Sequence, residues 1–177
     1  MHARRRSRPA VAGLAGVNDF LAALSDQPIK IFSTAPFMAS ISRRAHGIDS
    51  ADLNELLSRE DIVGVGESYW QTVLQKPDLA VPTLEAALHT GKTLEGHTAG
   101  ARGDKLAAYL AAGISSCHEP ITADEVLERL RLGIHVMIRE GSIRRDLEAI
   151  SVIKDSNVDL RRLVLVTDGV EPGDLLQ

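Results

Sequence analysis

At 177 residues, 44% apolar and 25% charged, the chain has the balance of a soluble globular protein and enough length for one domain with a real core, which excludes a disordered or membrane-embedded chain. A formal charge of -4 supplies no large electropositive field, so a nucleic-acid partner is not expected. No run approaches the ~18 apolar residues needed to cross a bilayer, so a cytoplasmic setting with no membrane partner is expected.

The basic run RRRSR, Arg4 to Arg8, reads as a solvated terminal extension. Residues 1–16 are taken as a disordered extension and 17–177 as the domain. From there a short β-rich run, a polar or Gly-bearing turn and an amphipathic helix recur about six times. The predicted strands are Ile29 to Thr34, Ile62 to Glu67, Thr93 to His97, Ile114 to Glu119, Ile134 to Glu140 and Leu163 to Asp168. Between them, a helix starting near Ser50 places Leu53, Leu56 and Leu57 on one face, and KLAAYLAAG ends at Gly113, suited to a left-handed cap. A third helix starts at Thr122, where Glu125 three residues on forms a capping box. Aromatics make up only 3%, so Leu, Ile, Val and Ala must fill the core, as they do where parallel strands lie beneath helices.

Parallel strands with alternating helices form either a doubly wound sheet or a (β/α)8 barrel. The G-x-G-x-x-G of a dinucleotide site is missing, since the Gly64, Gly66 spacing does not complete it. Polar residues stand instead at nearly every strand end: Glu67, His97, His118 with Glu119, Arg139 with Glu140, and Asp168. In a parallel barrel those ends share one rim, where distant residues can meet one ion and one substrate.

Cys117 is the only cysteine, so neither an internal disulfide nor a thiolate cage can form, and any metal must use imidazole and carboxylate. His97 and His118 would supply nitrogen, Glu67 a carboxylate able to bridge two ions, and Asp168 a ligand and base near the attacking water. Taken singly each has a plainer reading: Glu67 as a turn cap, His97 as a buried histidine bonded to backbone, Asp168 before Gly169 as a turn aspartate. The H-E-x-x-H metalloprotease helix is excluded because Pro120 follows His118-Glu119 and position 122 is Thr122. The zinc cytidine-deaminase signature needs P-C-x-x-C, two cysteines where the chain has one. His2, His46, His89 and His135 are read as terminus, loop, helix and strand residues without a role.

From Val17 to Gln177 the order of these segments resembles the adenine deaminases of the amidohydrolase superfamily. GVGE (Gly64 to Glu67), EGHTAGARGDKLAAYLAAGISSCHE (Glu95 to Glu119), IREGSIRRDL (Ile138 to Leu147) and LVTDG resemble the family's Gly-Glu, G-H-x-P-G to H-E, R-E-G-S and T-D-D segments. The resemblance implies a metal-dependent hydrolase barrel that converts adenine to hypoxanthine and ammonia, with a binuclear divalent site of manganese, iron or a related metal; zinc accepts the same ligands. It implies that Glu67 is the metal-bridging glutamate, His97 and His118 the metal-binding histidines, and Asp168 the aspartate that is both ligand and proton carrier. Glu119 and Arg139 fall in segments near the purine pocket and are taken as substrate-binding.

The sequence departs from the pattern at Ala99, where the family has proline, at Gly169, where it has a second aspartate, and in GESYW after Glu67. The family's strand-one His-x-His is also missing, since no two histidines stand two apart. Six βα units match about strands three to eight, so the fold class expected is α/β, a partial (β/α)8 barrel. Such an arc exposes two strand edges, and a homo-oligomer or a complementing chain is the expected macromolecular partner beside a small purine substrate. The alternatives are another amidohydrolase acting on a cyclic amine or amide, and a truncated domain without activity.

Overall fold

The computed structural model describes residues 13–37 and 48–176, so Arg4 to Arg8, His2 and His46 lie outside the described residues. The first helix, α1, spans Gly13–Leu24, and the boundary expected at residue 16 therefore falls inside a helix. The chain divides into two compact units, Met1–Ser68 with Asp78–Leu94 and Tyr69–Pro77 with Glu95–Gln177. Among the described residues no helix is long and apolar enough to cross a membrane.

In the first unit, strand β1 (Ser33–Pro36) pairs in parallel with β2 (Ile62–Tyr69), from Ser33 opposite Ile62 to Pro36 opposite Gly66. The first predicted strand is displaced toward the C-terminus: Ile29 and Phe32 are exposed, while Ala35 is fully buried. Pairing begins only at Ser33, so the apolar IKIF run that suggested the strand precedes it. Helix α2 (Ser50–Leu57) starts where the sequence indicates, capped by Asp49, whose Oδ1 accepts from the Ala51 and Asp52 amides at 2.8 Å each. The Asp52 carboxylate accepts in return from the Asp49 amide, completing a capping box. Leu53, Leu56 and Leu57 are buried, as their spacing predicts. Helix α4 (Pro77–His89) leads into β3 (Thr93–His97). Thr93 Oγ1 donates to the Val63 carbonyl at 3.3 Å, which sets the start of β3 beside β2.

In the second unit the end of β3 is followed by β4 (Ser116–Cys117), β5 (His135–Arg139) and β6 (Leu163–Val166), each paired in parallel with the one before. Helices α3 (Trp70–Gln75), α5 (Gly103–Ala111), α6 (Ala123–Arg131) and α7 (Leu147–Ile150) belong to this unit. Helix α6 begins at the predicted cap, with Thr122 Oγ1 accepting from the Glu125 amide at 3.3 Å, and the Glu125 carboxylate reaches back to the Ile121 amide. The core of this unit gathers Cys117, Val126, Leu130, Ile134, Val136, Ile138, Ile150 and Ile153. Burial pushes the Cys117 thiol up, so it behaves as a small apolar core group.

The strand order is β1-β2-β3-β4-β5-β6. A doubly wound sheet reverses its order at a switch point, whereas unreversed parallel strands with helices between them have the connectivity of a (β/α)8 barrel arc. All six predicted strands are present, and β1 and β6 have a strand neighbour on one side only. On β6, Val164 and Leu165 are accordingly exposed.

Candidate metal centre

The site in the second unit starts at Gly96. A Cβ there would collide with the Tyr109 Oη, so only glycine lets the buried Tyr109 of α5 lie against the strand. His97 follows at the strand's C-terminal end. Its imidazole stacks on Tyr69, with ring centroids 4.5 Å apart and planes 12° apart. Its Nδ1 lies 2.8 Å from Glu119 Oε1. A proton on Nδ1 satisfies that contact, so the neutral ring presents Nε2 as its electron-pair donor.

The second imidazole comes from β4, which is two residues long where six were expected. Pro120 has no N–H to give a neighbouring strand and restricts Glu119 before it, so the chain leaves the ladder and His118 and Glu119 turn to the site. The His118 ring meets His97 edge to face at 5.0 Å. Donor atoms of the two histidines lie within 4.8 Å of each other. Two nitrogens at ~2.0–2.1 Å from one ion are separated by at most about 4.2 Å, a spacing close to that bound.

Glu119 binds two groups: Oε1 faces His97, and Oε2 accepts from the Ala99 amide at 2.6 Å. Burial works against its charge, but the bonds from His97 and Ala99 and the nearby imidazoles of His97 and His118 outweigh it, and its pKa lies below the usual carboxylate value. The arrangement is a carboxylate–histidine pair of the kind that orients a metal-binding imidazole.

A second cluster sits at the ends of β5 and β6. The nearly buried Arg139 donates from Nε to Asp146 Oδ2 at 3.0 Å and from Nη1 to Asp168 Oδ2 at 3.3 Å. The loop between β5 and α7 approaches so closely that a Cβ on Gly141 would collide with the Thr167 carbonyl. Glu140 caps α7, accepting from the Leu147 amide at 3.2 Å.

Glu67 belongs to the first unit, near the C-terminal end of β2, and its side chain is exposed. Its φ is 61°, and that of Asp168 is 48°. Among the described residues these are the two non-glycine positions with positive φ. Left-handed backbone is costly for residues with a Cβ and concentrates at functional sites.

The sequence-predicted residues thus fall into groups. His97, His118 and Glu119 come together, Arg139 and Asp168 form an ion pair, and Glu67 ends β2. Glu119 and Arg139, expected at the purine, have their charged groups on His97 and on the two aspartates. His89 lies on α4 with its Nδ1 2.7 Å from the Glu85 carbonyl, and His135 is an exposed residue of β5. Sequence reasoning missed Asp146, Tyr69 and Arg129. Only Arg129 left a signal: it stands three residues after Val126 and one before Leu130, on the apolar face of α6.

No family model matches the chain. Individual relatives do. The adenine deaminase of Cenarchaeum symbiosum is 37% identical over 170 residues, that of Deinococcus radiodurans 37% over 172 and that of Moorella thermoacetica 36% over 176. These alignments take in 93%, 94% and 94% of this chain. Over the span it covers, the chain is similar to adenine deaminases. It spans 28%, 32% and 29% of the length of these three curated relatives. With one cysteine the chain has no thiolate cage to offer a metal, and imidazole and carboxylate are the two donor types gathered at His97, His118 and Glu119.

Proposed function

We propose that the chain serves the metal-dependent hydrolysis of adenine to hypoxanthine and ammonia, as the names of its relatives indicate for them. The observation that carries this reading is the pair of imidazoles at successive strand ends, one of them already oriented by Glu119. Glu67, His97 and His118 carry the donor types that a divalent ion accepts, and these residues would hold it, with Asp168 as a further carboxylate. Manganese or iron is the metal proposed, zinc being accepted by the same donors, and the setting is cytoplasmic.

A divalent ion bound there would supply the positive charge that makes water a nucleophile near neutral pH. The chain's own groups do the rest. Glu119 keeps the His97 proton on Nδ1. Asp168, held by Arg139, takes the proton of the attacking water and passes it to the departing nitrogen as the C6–O bond forms and the C6–N bond breaks. Glu119 and Arg139, assigned to the purine-binding segments, act there by orienting His97 and Asp168.

The test is a chimera in which this chain replaces the matching span of the Cenarchaeum symbiosum relative. Release of ammonia and hypoxanthine from adenine, abolished by His118→Asn, supports the reading. A folded, metal-loaded chimera that leaves adenine untouched contradicts it.

A further inference from the structure

Arg129 is 1% exposed, and its guanidinium is directed almost wholly at one loop. Nε donates to Thr98 Oγ1 at 2.9 Å, and Nη2 donates to the carbonyls of Thr98 at 2.9 Å and Ala101 at 3.1 Å. Nη1 donates to the Glu125 carbonyl of its own helix at 3.1 Å and lies 3.6 Å from the Glu128 carboxylate. A buried charge is costly unless its hydrogen-bonding capacity is met, and here the loop leaving β3 meets most of it. A methionine at 129 would continue the stripe of Val126 and Leu130 with no charge to desolvate, but could bond none of these acceptors.

The same loop is gripped by neighbouring groups. Glu128 Oε1 accepts from the Gly103 amide at 2.8 Å, Glu125 Oε1 from Arg102 at 2.9 Å, and the Ala99 carbonyl from Trp70 Nε1 at 2.8 Å. The loop begins one residue after His97, and its Ala99 amide holds Glu119 Oε2 at 2.6 Å while Glu119 Oε1 faces His97 Nδ1. Arg129 is therefore tied by hydrogen bonds to Thr98 and Ala101, the backbone between them carries the Ala99 amide, and the hydrogen bond from that amide to Glu119 completes the path to the imidazole.

We infer that Arg129 is the positioning residue of His97, fixing the loop whose Ala99 amide holds Glu119 against His97 Nδ1. The inference rests on the proposed reading of His97 as a metal ligand, but its first consequence, a single imidazole tautomer, needs no metal.

The experiment compares the 177-residue chain with its Arg129→Lys and Thr98→Val variants. Two readouts are taken: the His97 tautomer by long-range proton–nitrogen NMR without metal, and Mn2+ affinity by chelator competition. Lysine can satisfy one or two of the loop acceptors in place of three. Arg129→Lys is expected to turn a pure Nδ1–H ring into a tautomer mixture and to weaken Mn2+ binding about 10–100-fold, the usual effect of removing a group behind a metal ligand. Thr98→Val removes a single acceptor and shifts both readouts less in the same direction; it decides the matter where Arg129→Lys fails to fold. Unchanged tautomer and affinity within twofold in a folded variant overturn the inference, even where the melting temperature falls. A wild-type chain that binds no Mn2+ but whose tautomer still responds to the variants upholds the positioning role and removes the metal reading instead.

Discussion

Replacing Glu119 by glutamine tests how the imidazole is oriented. The carboxylate accepts from two donors, His97 Nδ1 at 2.8 Å and the Ala99 amide at 2.6 Å. Glutamine has one carbonyl oxygen and one NH2, so one of those donors must face another donor. If the carbonyl stays on the Ala99 amide, the NH2 faces Nδ1 and the ring relieves the clash by moving its proton to Nε2. That places a hydrogen where a metal would bind. The lost charge-assisted bond should cost about 1.5–3 kcal/mol of stability, and metal affinity should fall about 10–100-fold. Denaturant unfolding measures the first and Mn2+ or Zn2+ calorimetry the second. A Glu119→Gln chain with wild-type stability and metal affinity within twofold of the parent would refute the reasoning, because glutamine cannot accept at both sites.

Three further changes test other parts of the structure. Gly96→Ala drives a methyl into the Tyr109 hydroxyl and should destabilise the second unit by about 1–3 kcal/mol; Tyr109→Phe in the same chain should restore part of the loss, as denaturant melts will show. Asp146→Ala leaves the nearly buried Arg139 with Asp168 as its carboxylate partner, and should cost about 3 kcal/mol, measured by thermal unfolding. The hydrogen bond from Arg161 holds the exposed Asp159 carboxyl down to about 2, against the usual 3.8. Its pairing therefore stabilises the fold above about 3.8 and is lost as pH falls through about 2; NMR titration should find this midpoint and return it toward 3.8 in Arg161→Ala.

The fold was legible because its signals are local. Alternating β-rich and amphipathic segments placed all six strands, and Thr122 and the leucines of α2 placed two helices. The failures have physical causes. The run Ile29 to Phe32 looks like a strand by composition, but pairing starts at Ser33 opposite Ile62, and composition does not specify where a partner begins. β4 shrinks to Ser116–Cys117 because proline two residues after His118 interrupts the ladder. At the candidate site, the residue types at strand ends were readable while their partners were not. Asp146 reaches Arg139 from seven residues away, Tyr69 stacks on a histidine twenty-eight positions later, and the positive φ of Glu67 and Asp168 is imposed by the fold rather than signalled by glycine.

The most direct measurement is X-ray absorption of the chain loaded with one equivalent of zinc or cobalt. Two imidazole nitrogens at ~2.0–2.1 Å and carboxylate oxygen at ~2.0–2.2 Å are expected, with one imidazole lost in His118→Asn and the oxygen contribution reduced in Glu67→Gln. A spectrum without imidazole scattering, or one that neither substitution changes, would contradict a metal held by Glu67, His97 and His118.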